Sequence, residues 1–450
     1  MAPIYGLAIL SLIAGVFAVP ATAEPLRSEL DLLLREHPDL RRARNDAAAA
    51  RARIEEARSA YLPRFELSGD SGAERTDDPT RRQAGLGVFL MRRDKLTLTA
   101  TQNLFNGFRD EAGIVAAELG HIEQQMSLEN TRQELLFQGL NQYLDVLRNV
   151  RLIAVAQNTE NTIRTQLRLE DERVQRGSGI AVDVLQAKSR LQVAKEQRVA
   201  FEGRLQEALA RYKQLFGHLP EISSLEEGVP PEGIVPPDLD GAIETAQQYH
   251  PALRQTRYQA DIAREQKRIA RADYYPSVDL VGTLDYADNN GTTRGVKREQ
   301  SLLIRARWEF FSGFRTRSRV ESASRTLAAR KDSFNFAVRR VEEDVRVAWD
   351  RLLTERRRVD LLNNAVNLAI EVFNAKKRLR EAGKETSLNV LDAEREVFSA
   401  RINQISAEFD ARIASYLLAR RTRSRREVSQ KESVRLSGAG SVTANACKFG

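Results

Sequence analysis

Lys95-Leu96-Thr97-Leu98-Thr99-Ala100-Thr101-Gln102-Asn103-Leu104-Phe105-Asn106-Gly107-Phe108-Arg109 changes character within one short stretch. Leu96, Leu98, Ala100, Gln102 and Leu104 alternate with Lys95, Thr97, Thr99, Thr101 and Asn103. Period two places each set on one face of a β-strand. Asn106-Gly107 ends the run, and no proline interrupts the chain from Phe108 to about Arg176. At 1.5 Å per residue that stretch reaches roughly 100 Å as one helix. Such a helix does not fit a compact domain, but it suits a coiled-coil tube or spacer.

The passage is written twice. Leu104-Phe105-Asn106-Gly107-Phe108-Arg109 recurs 206 residues later as Phe310-Phe311-Ser312-Gly313-Phe314-Arg315, and the same offset pairs Tyr143 with Trp349 and Gly177 with Gly383. It also pairs Val184-Leu185 with Val390-Leu391 and Ala187 with Ala393. Upstream the offset is 213: Glu36-His37-Pro38-Asp39-Leu40 recurs as Tyr249-His250-Pro251-Ala252-Leu253, Tyr61 as Tyr274, Pro63 as Pro276 and Gly69 as Gly282. One net change of seven residues therefore falls between Gly69 and Gly107, where a surface loop is expected. The expected repeats are residues 24–217 and 241–425, joined by a proline-rich linker over 218–240. Each half reads as helices, two strands, then a long helical hairpin. Asp39–Ala60 and Ala252–Ala272 are Ala/Arg-rich and helical. Strands are predicted near 63–71, 95–104, 277–286 and 301–310. The long helices Phe108–Arg176 and Phe314–Ala382 turn at Gly177 and Gly383, where left-handed C-caps belong, into return helices Asp183–Phe216 and Leu388–Arg425.

Residues 1–23 read as a signal peptide: Leu7–Val19 is an apolar run, short for a membrane span, and Ala21-Thr22-Ala23 supplies small residues before the cut. No cysteine lies near that cut, so no N-terminal lipid anchor is expected, and a lone Cys447 forms no intrachain disulfide. The 426–450 tail, rich in Ser, Gly and Lys, is expected to be disordered. The net charge of +8 raises the question of nucleic acid. Acidic residues are interleaved with the basic ones and the main local excess is Arg420–Arg426, which reads as a solvated helix face plus a basic tail, with no nucleic-acid partner. His37 and His250 at helix starts read as structural, and His121 and His218 lack ligand spacing. No nucleophile–base arrangement or phosphate loop is seen, so neither enzyme activity nor cofactor nor metal is expected.

Strands of about ten residues, apolar out and polar in, are also the pattern of membrane β-barrels. A sheet in lipid must close, and single-chain barrels begin at eight strands. Four strands per chain imply a barrel shared between copies; three copies give twelve, whereas two give only eight and a lumen filled by side chains.

The ordered, duplicated motifs identify a resemblance to the TolC family of outer-membrane factors, over about residues 28–425. It rests on the paired HP-x-L segments, Tyr-x-Pro before the first and third strands, and the Leu-Phe-Asn-Gly and Phe-Phe-Ser-Gly exits. It rests also on Arg176-Gly177-Ser178-Gly179-Ile180-Ala181-Val182-Asp183-Val184-Leu185 and Ala382-Gly383-Lys384-Glu385-Thr386-Ser387-Leu388-Asn389-Val390-Leu391-Asp392-Ala393. The resemblance implies an α+β membrane protein: a homotrimer with a twelve-stranded barrel above a twelve-helix periplasmic tunnel. Its place would be the outer membrane, extending into the periplasm, in contact with outer-membrane lipid. It would serve as a passive exit duct for exported protein or small-molecule cargo, in type I secretion or multidrug efflux. Its implied partners are a periplasmic adaptor and an inner-membrane ABC or RND-type transporter. The absent lipid cysteine and Asp392-Ala393-Glu394-Arg395-Glu396 resemble the type I secretion branch. The turns at Gly177, Gly179 and Gly383 would form the periplasmic entrance. Asp392 matches an acidic position there, Asn389 stands where many relatives carry a second aspartate, and Asp183 is its first-half counterpart. Three copies of Asp392 near an axis would repel one another and favour cations. Arg380 and Glu385 occupy the neighbourhood of the family's closing contacts with different residue types. The alternatives are a periplasmic adaptor, which usually has one hairpin, and a soluble coiled-coil structural protein, which the signal peptide and strands oppose.

Overall fold

A computed structural model describes residues 26–227, 230, 233, 235–290 and 294–422. The expected signal peptide over 1–23 and the tail over 426–450 lie outside the described residues. The chain opens with two helices, α1 (Leu26–Glu36) and α2 (Pro38–Arg58), separated only by His37. Pro38 and the His37 imidazole explain that break: proline suits a helix start, and Nδ1 of His37 accepts the Asp39 N–H at 3.2 Å. The second half repeats the device, with α6 (Leu239–Tyr249), α7 (Pro251–Ala272) and His250 accepting the Ala252 N–H at 3.3 Å. Both histidines are caps.

The strands are β1 (Arg64–Thr76), β2 (Phe89–Phe105), β3 (Ser277–Asp288) and β4 (Val296–Arg307), in one antiparallel sheet of order β1-β2-β3-β4. The first hairpin runs farther than its alternation predicted, because Ser71–Thr76 pairs with Phe89–Asp94 although neither segment alternates apolar with polar residues. β4 begins and ends earlier than the 301–310 reading. The short helix α3 (Pro79–Gln83) fills the first tip. Thr76 pairs with Phe89, while at the equivalent place the Asn289 N–H donates to the Gly295 carbonyl, so the seven extra residues all lie between Thr76 and Phe89. The expected loops Ser71–Arg93 and Ala287–Arg298 are thereby trimmed.

The long helices are α4 (Arg109–Gln175) and α8 (Arg315–Glu381), each of 67 residues; the return helices are α5 (Ala181–Phe216) and α9 (Ser387–Thr422), each of 36 residues. No described helix is long and apolar enough to cross a membrane. Three of the described helices escaped the sequence reading, α1, α3 and α6. The linker reading over 218–240 must give up Leu239 and Asp240 to α6, whose N-cap Asp238 accepts the Gly241 N–H at 3.1 Å. Arg420 and Arg421 are not a solvated surplus: Arg420 is bound to Glu134, and Arg421 pairs with Asp344 at 2.8 Å.

The chain forms two compact units, and α4, α8 and α9 contribute to both. The unit of 36–138, 230–364 and 410–450 holds the sheet and a core in which Ala242, Ala246 and Leu253 meet Val341, Val345, Ala348 and Leu352 of α8 and Ala414 and Leu418 of α9. The unit of 1–35, 139–229 and 365–409 is built on coiled-coil spacing: Ala187, Leu191 and Ala194 of α5 face Ile163 of α4 and Leu391 of α9. Farther along, Phe201 and Phe398 close over Leu152 and Ala156. Tyr143 pins the linker there, donating to the Glu226 carbonyl at 2.9 Å and accepting its N–H at 2.8 Å.

Candidate functional site

The two turns lie in the second of these units. Gly177 ends α4 at φ +75° and Gly383 ends α8 at φ +73°. Both stops use the same bonds: Gly177 N–H to the Val174 carbonyl and Ser178 N–H to Arg173, then Gly383 N–H to Arg380 and Lys384 N–H to Leu379. Gly179 is needed for another reason. A Cβ there would stand 2.7 Å from the Val174 backbone nitrogen, so the chain turns back against the end of α4 with no room for a side chain.

Arg380, in the last turn of α8, joins both turns. Its guanidinium donates to Glu170 of α4 at 2.8 Å and to the Glu385 carbonyl at 3.2 Å, and lies 3.6 Å from the Asp183 carboxylate of α5. Glu170 is 4% exposed at its side chain and is also bound by Arg173 at 3.0 Å. Burial alone would raise its pKa, but the Ser387 hydroxyl and the Arg380 and Arg173 guanidiniums beside it win and hold the carboxyl below the usual range. Glu385 is also held low, first by the Asn389 amide, which donates at 2.5 Å, and then by the Thr386 N–H at 2.9 Å. Asn389 is thus spent inside its own turn. Asp392 pairs with Arg190 of α5 at 2.8 Å, both side chains part-exposed.

Two residues farther along α9, Glu394 is 7% exposed, and burial pushes its carboxyl up to about 7 although a Thr159 hydrogen bond and the Arg401 charge oppose the shift. Asp183, Asn389 and Asp392 therefore do not converge on one another; Asp183 and Asp392 each face a different arginine. Arg190, Glu170 and Glu394 were missed by the sequence reading. Their partners come from neighbouring helices, and only the apolar spacing of α5 and α9 hinted which faces meet. Among the described residues, no cluster of three or more His, Cys, Asp or Glu side chains has the arrangement of a metal site. The site is a cross-helix charge lattice at two adjoining turns, suited to holding them together.

A sequence profile of outer membrane efflux proteins matches residues 30–218 and again 242–422. The outer membrane efflux protein BepC of Brucella suis is 24% identical over 81% of this chain and 78% of its own. The outer membrane protein TolC of Escherichia coli is 23% identical over 88% and 81%. The crystal structure of the Campylobacter jejuni CmeC outer membrane channel superposes with a TM-score of 0.78 over 92% of this chain and 89% of that one, at 15% identity, a likeness of fold.

Proposed function

The chain belongs to the outer membrane efflux protein family, outer-membrane channels of efflux and secretion systems, and from that premise we propose how it works. Three copies close one twelve-stranded barrel in the outer membrane and continue it as a twelve-helix periplasmic duct. The duct is passive. A periplasmic adaptor and an inner-membrane transporter of the ABC or RND type supply the energy, and the cargo is an exported protein or a small molecule. The observation that carries this reading is a sheet of four strands with two open edges, whose exposed side chains include Phe65, Leu67, Leu302 and Ile304. An open edge in lipid leaves each unpaired backbone group costing several kcal/mol, so the sheet must be closed by copies of itself. Crosslinking in mild detergent is expected to give a three-chain species. A monodisperse monomer recovered from the periplasm would end the reading.

The entrance lies at the two glycine turns. Arg380 clasps the end of the second hairpin to Glu170 and Asp183 of the first, and parting the hairpins must break those contacts. Arg380→Ala is expected to raise single-channel conductance in planar bilayers with trimers intact, and Glu170→Gln to do so less. Conductance unchanged in both would remove the clasp from the entrance.

A further inference from the structure

The chain contains a seam between its own two repeats, and the exposed ends of those repeats carry the matching positions. Inside the chain, β2 of the first repeat pairs with β3 of the second, Thr99 opposite Thr283. Beside that pairing, Phe105 and Phe108 meet Tyr275 edge to face, at centroid distances of 6.5 and 6.4 Å. Gly107, at φ +69°, sits so close to α7 that a Cβ would lie 2.7 Å from the Ala272 carbonyl. Below it, Arg268 of α7 reaches Glu111 of α4 at 3.2 Å.

The repeat offsets carry every one of these positions to the other face. The hairpins themselves superpose under those offsets, since Arg64 pairs with Thr101 and Ser277 with Arg307. Phe311 and Phe314 form the same edge-to-face pair as Phe105 and Phe108, at 5.6 Å, yet are 65% and 66% exposed. Gly313 keeps the left-handed φ of +61° with nothing around it, and Leu62, at the place of Tyr275, is 66% exposed. A docking geometry is built, and its occupant is absent from the single chain.

We infer that the seam between copies reproduces the seam between repeats: β4 of one copy pairs antiparallel with β1 of the next, Arg305 opposite Asp70, while Arg317 meets Glu55. This inference rests on the shared barrel of the proposed function and fixes its register. Two observations that played no part in the mapping agree with it. First, parity: the register sets Leu302 and Ile304 on the face that carries Phe65 and Leu67, as the pairings β1–β2, β2–β3 and β3–β4 require, whereas a slip of one residue would turn that band inward. Second, charge: Arg268–Glu111 inside the chain maps onto Glu55–Arg317 between copies, with both signs reversed and attraction preserved. Arg305–Asp70 is likewise an opposite pair where the internal seam has two threonines. Arg305 and Arg317 form no ion pair within the described chain.

The test is disulfide trapping in outer membranes, in a Cys447→Ser background. Thr99→Cys with Thr283→Cys is the internal control, because it occupies the equivalent place in the equivalent geometry and closes within one chain. Arg305→Cys with Asp70→Cys is expected to give oxidant-dependent dimers and trimers on non-reducing gels. If the control closes but Arg305→Cys links instead to Ser68→Cys or Gly72→Cys, the register is overturned and the shared barrel stands. If the control closes and none of the three pairs links copies, the shared barrel itself falls. The charge pair gives a reading without cysteines. Arg317→Glu is expected to lower the melting temperature of the trimer and Glu55→Arg in the same chain to restore it; equal loss in the single and double variants would overturn the Arg317–Glu55 contact.

Discussion

Glu394 is a buried carboxyl with a hydroxyl and a distant guanidinium for company, and its titration has a definite sign. Its folded pKa is raised to about 7. The folded chain therefore holds a proton that the unfolded chain has released, and stability falls as pH rises from the ordinary carboxylate range to about 7. Above that range the loss is complete, up to roughly 3 kcal/mol for a shift of this size. Glu394→Gln is expected to flatten the pH dependence of the melting temperature between pH 5 and 8, with stabilisation at pH 8. An unchanged slope would assign the dependence to other groups. Asp392 poses a different balance. Its partner Arg190 offsets the charge that three free carboxylates would present. Single-channel recording of Arg190→Gln is therefore expected to show more cation preference and stronger block by multivalent cations, and Asp392→Asn less of both. Asn389→Asp, which adds a carboxylate beside Glu385, is expected to move selectivity the same way as Arg190→Gln. These effects should fade with salt, as the Debye length falls to about 10 Å at 0.1 M. If selectivity ignores all three substitutions while trimers persist, Asp392 is a helix-end charge outside the pore.

At the scale of the element, the turns are set by one residue each. A non-glycine residue in the left-handed region costs about 1–2 kcal/mol, and asparagine is the side chain that tolerates it best. Gly383→Ala is expected to lower the melting temperature of the assembled protein, Gly383→Asn to lower it less, and Gly179→Ala to act through its clash with Val174 whatever its φ. Equal effects from alanine and asparagine at 383 would mean that φ is not what glycine supplies. Such turns were legible in the sequence because a glycine after a proline-free helix has few other uses. The long helices were legible to within a residue for the same reason. What escaped was decided elsewhere. Leu26, Leu30 and Leu33 carry the spacing of α1, but they follow directly on a signal-peptide reading that masked them. Asp238 signalled the start of α6 inside a segment whose prolines argued for extended chain. β1 runs through Ser71–Thr76 because backbone pairing with β2 continues, and no side-chain alternation records it. The partners of Asp392 and Asp183 depend on which faces of α5, α8 and α9 meet, a tertiary fact that local pattern does not contain.

For the whole molecule the sheet order fixes a direction. With β1, β2, β3 and β4 antiparallel in sequence order, the β1–β2 and β3–β4 connections lie at one end of the sheet, and α2, α4, α7 and α8 join it at the other. As the family's channels sit in the outer membrane and extend into the periplasm, the end that carries the long helices is expected to be the periplasmic one, and the two tips are expected to face the outside of the cell. The first tip carries the seven residues by which the repeats differ, with α3 capped by Asp78, whose carboxylate accepts the Thr80 N–H at 2.7 Å. Length change is tolerated at exposed loop tips, where little packing depends on the added chain. An epitope inserted near Asp78, or near Asn290 in the shorter tip, is therefore expected to leave assembly intact and to be labelled by antibody on intact cells. The same epitope placed in the turn at Lys384 should be labelled only after the outer membrane is opened. The opposite pattern, with Lys384 reached on intact cells and Asp78 hidden, would reverse the orientation of the barrel and with it the side of the membrane on which Arg380, Glu170 and Asp392 stand.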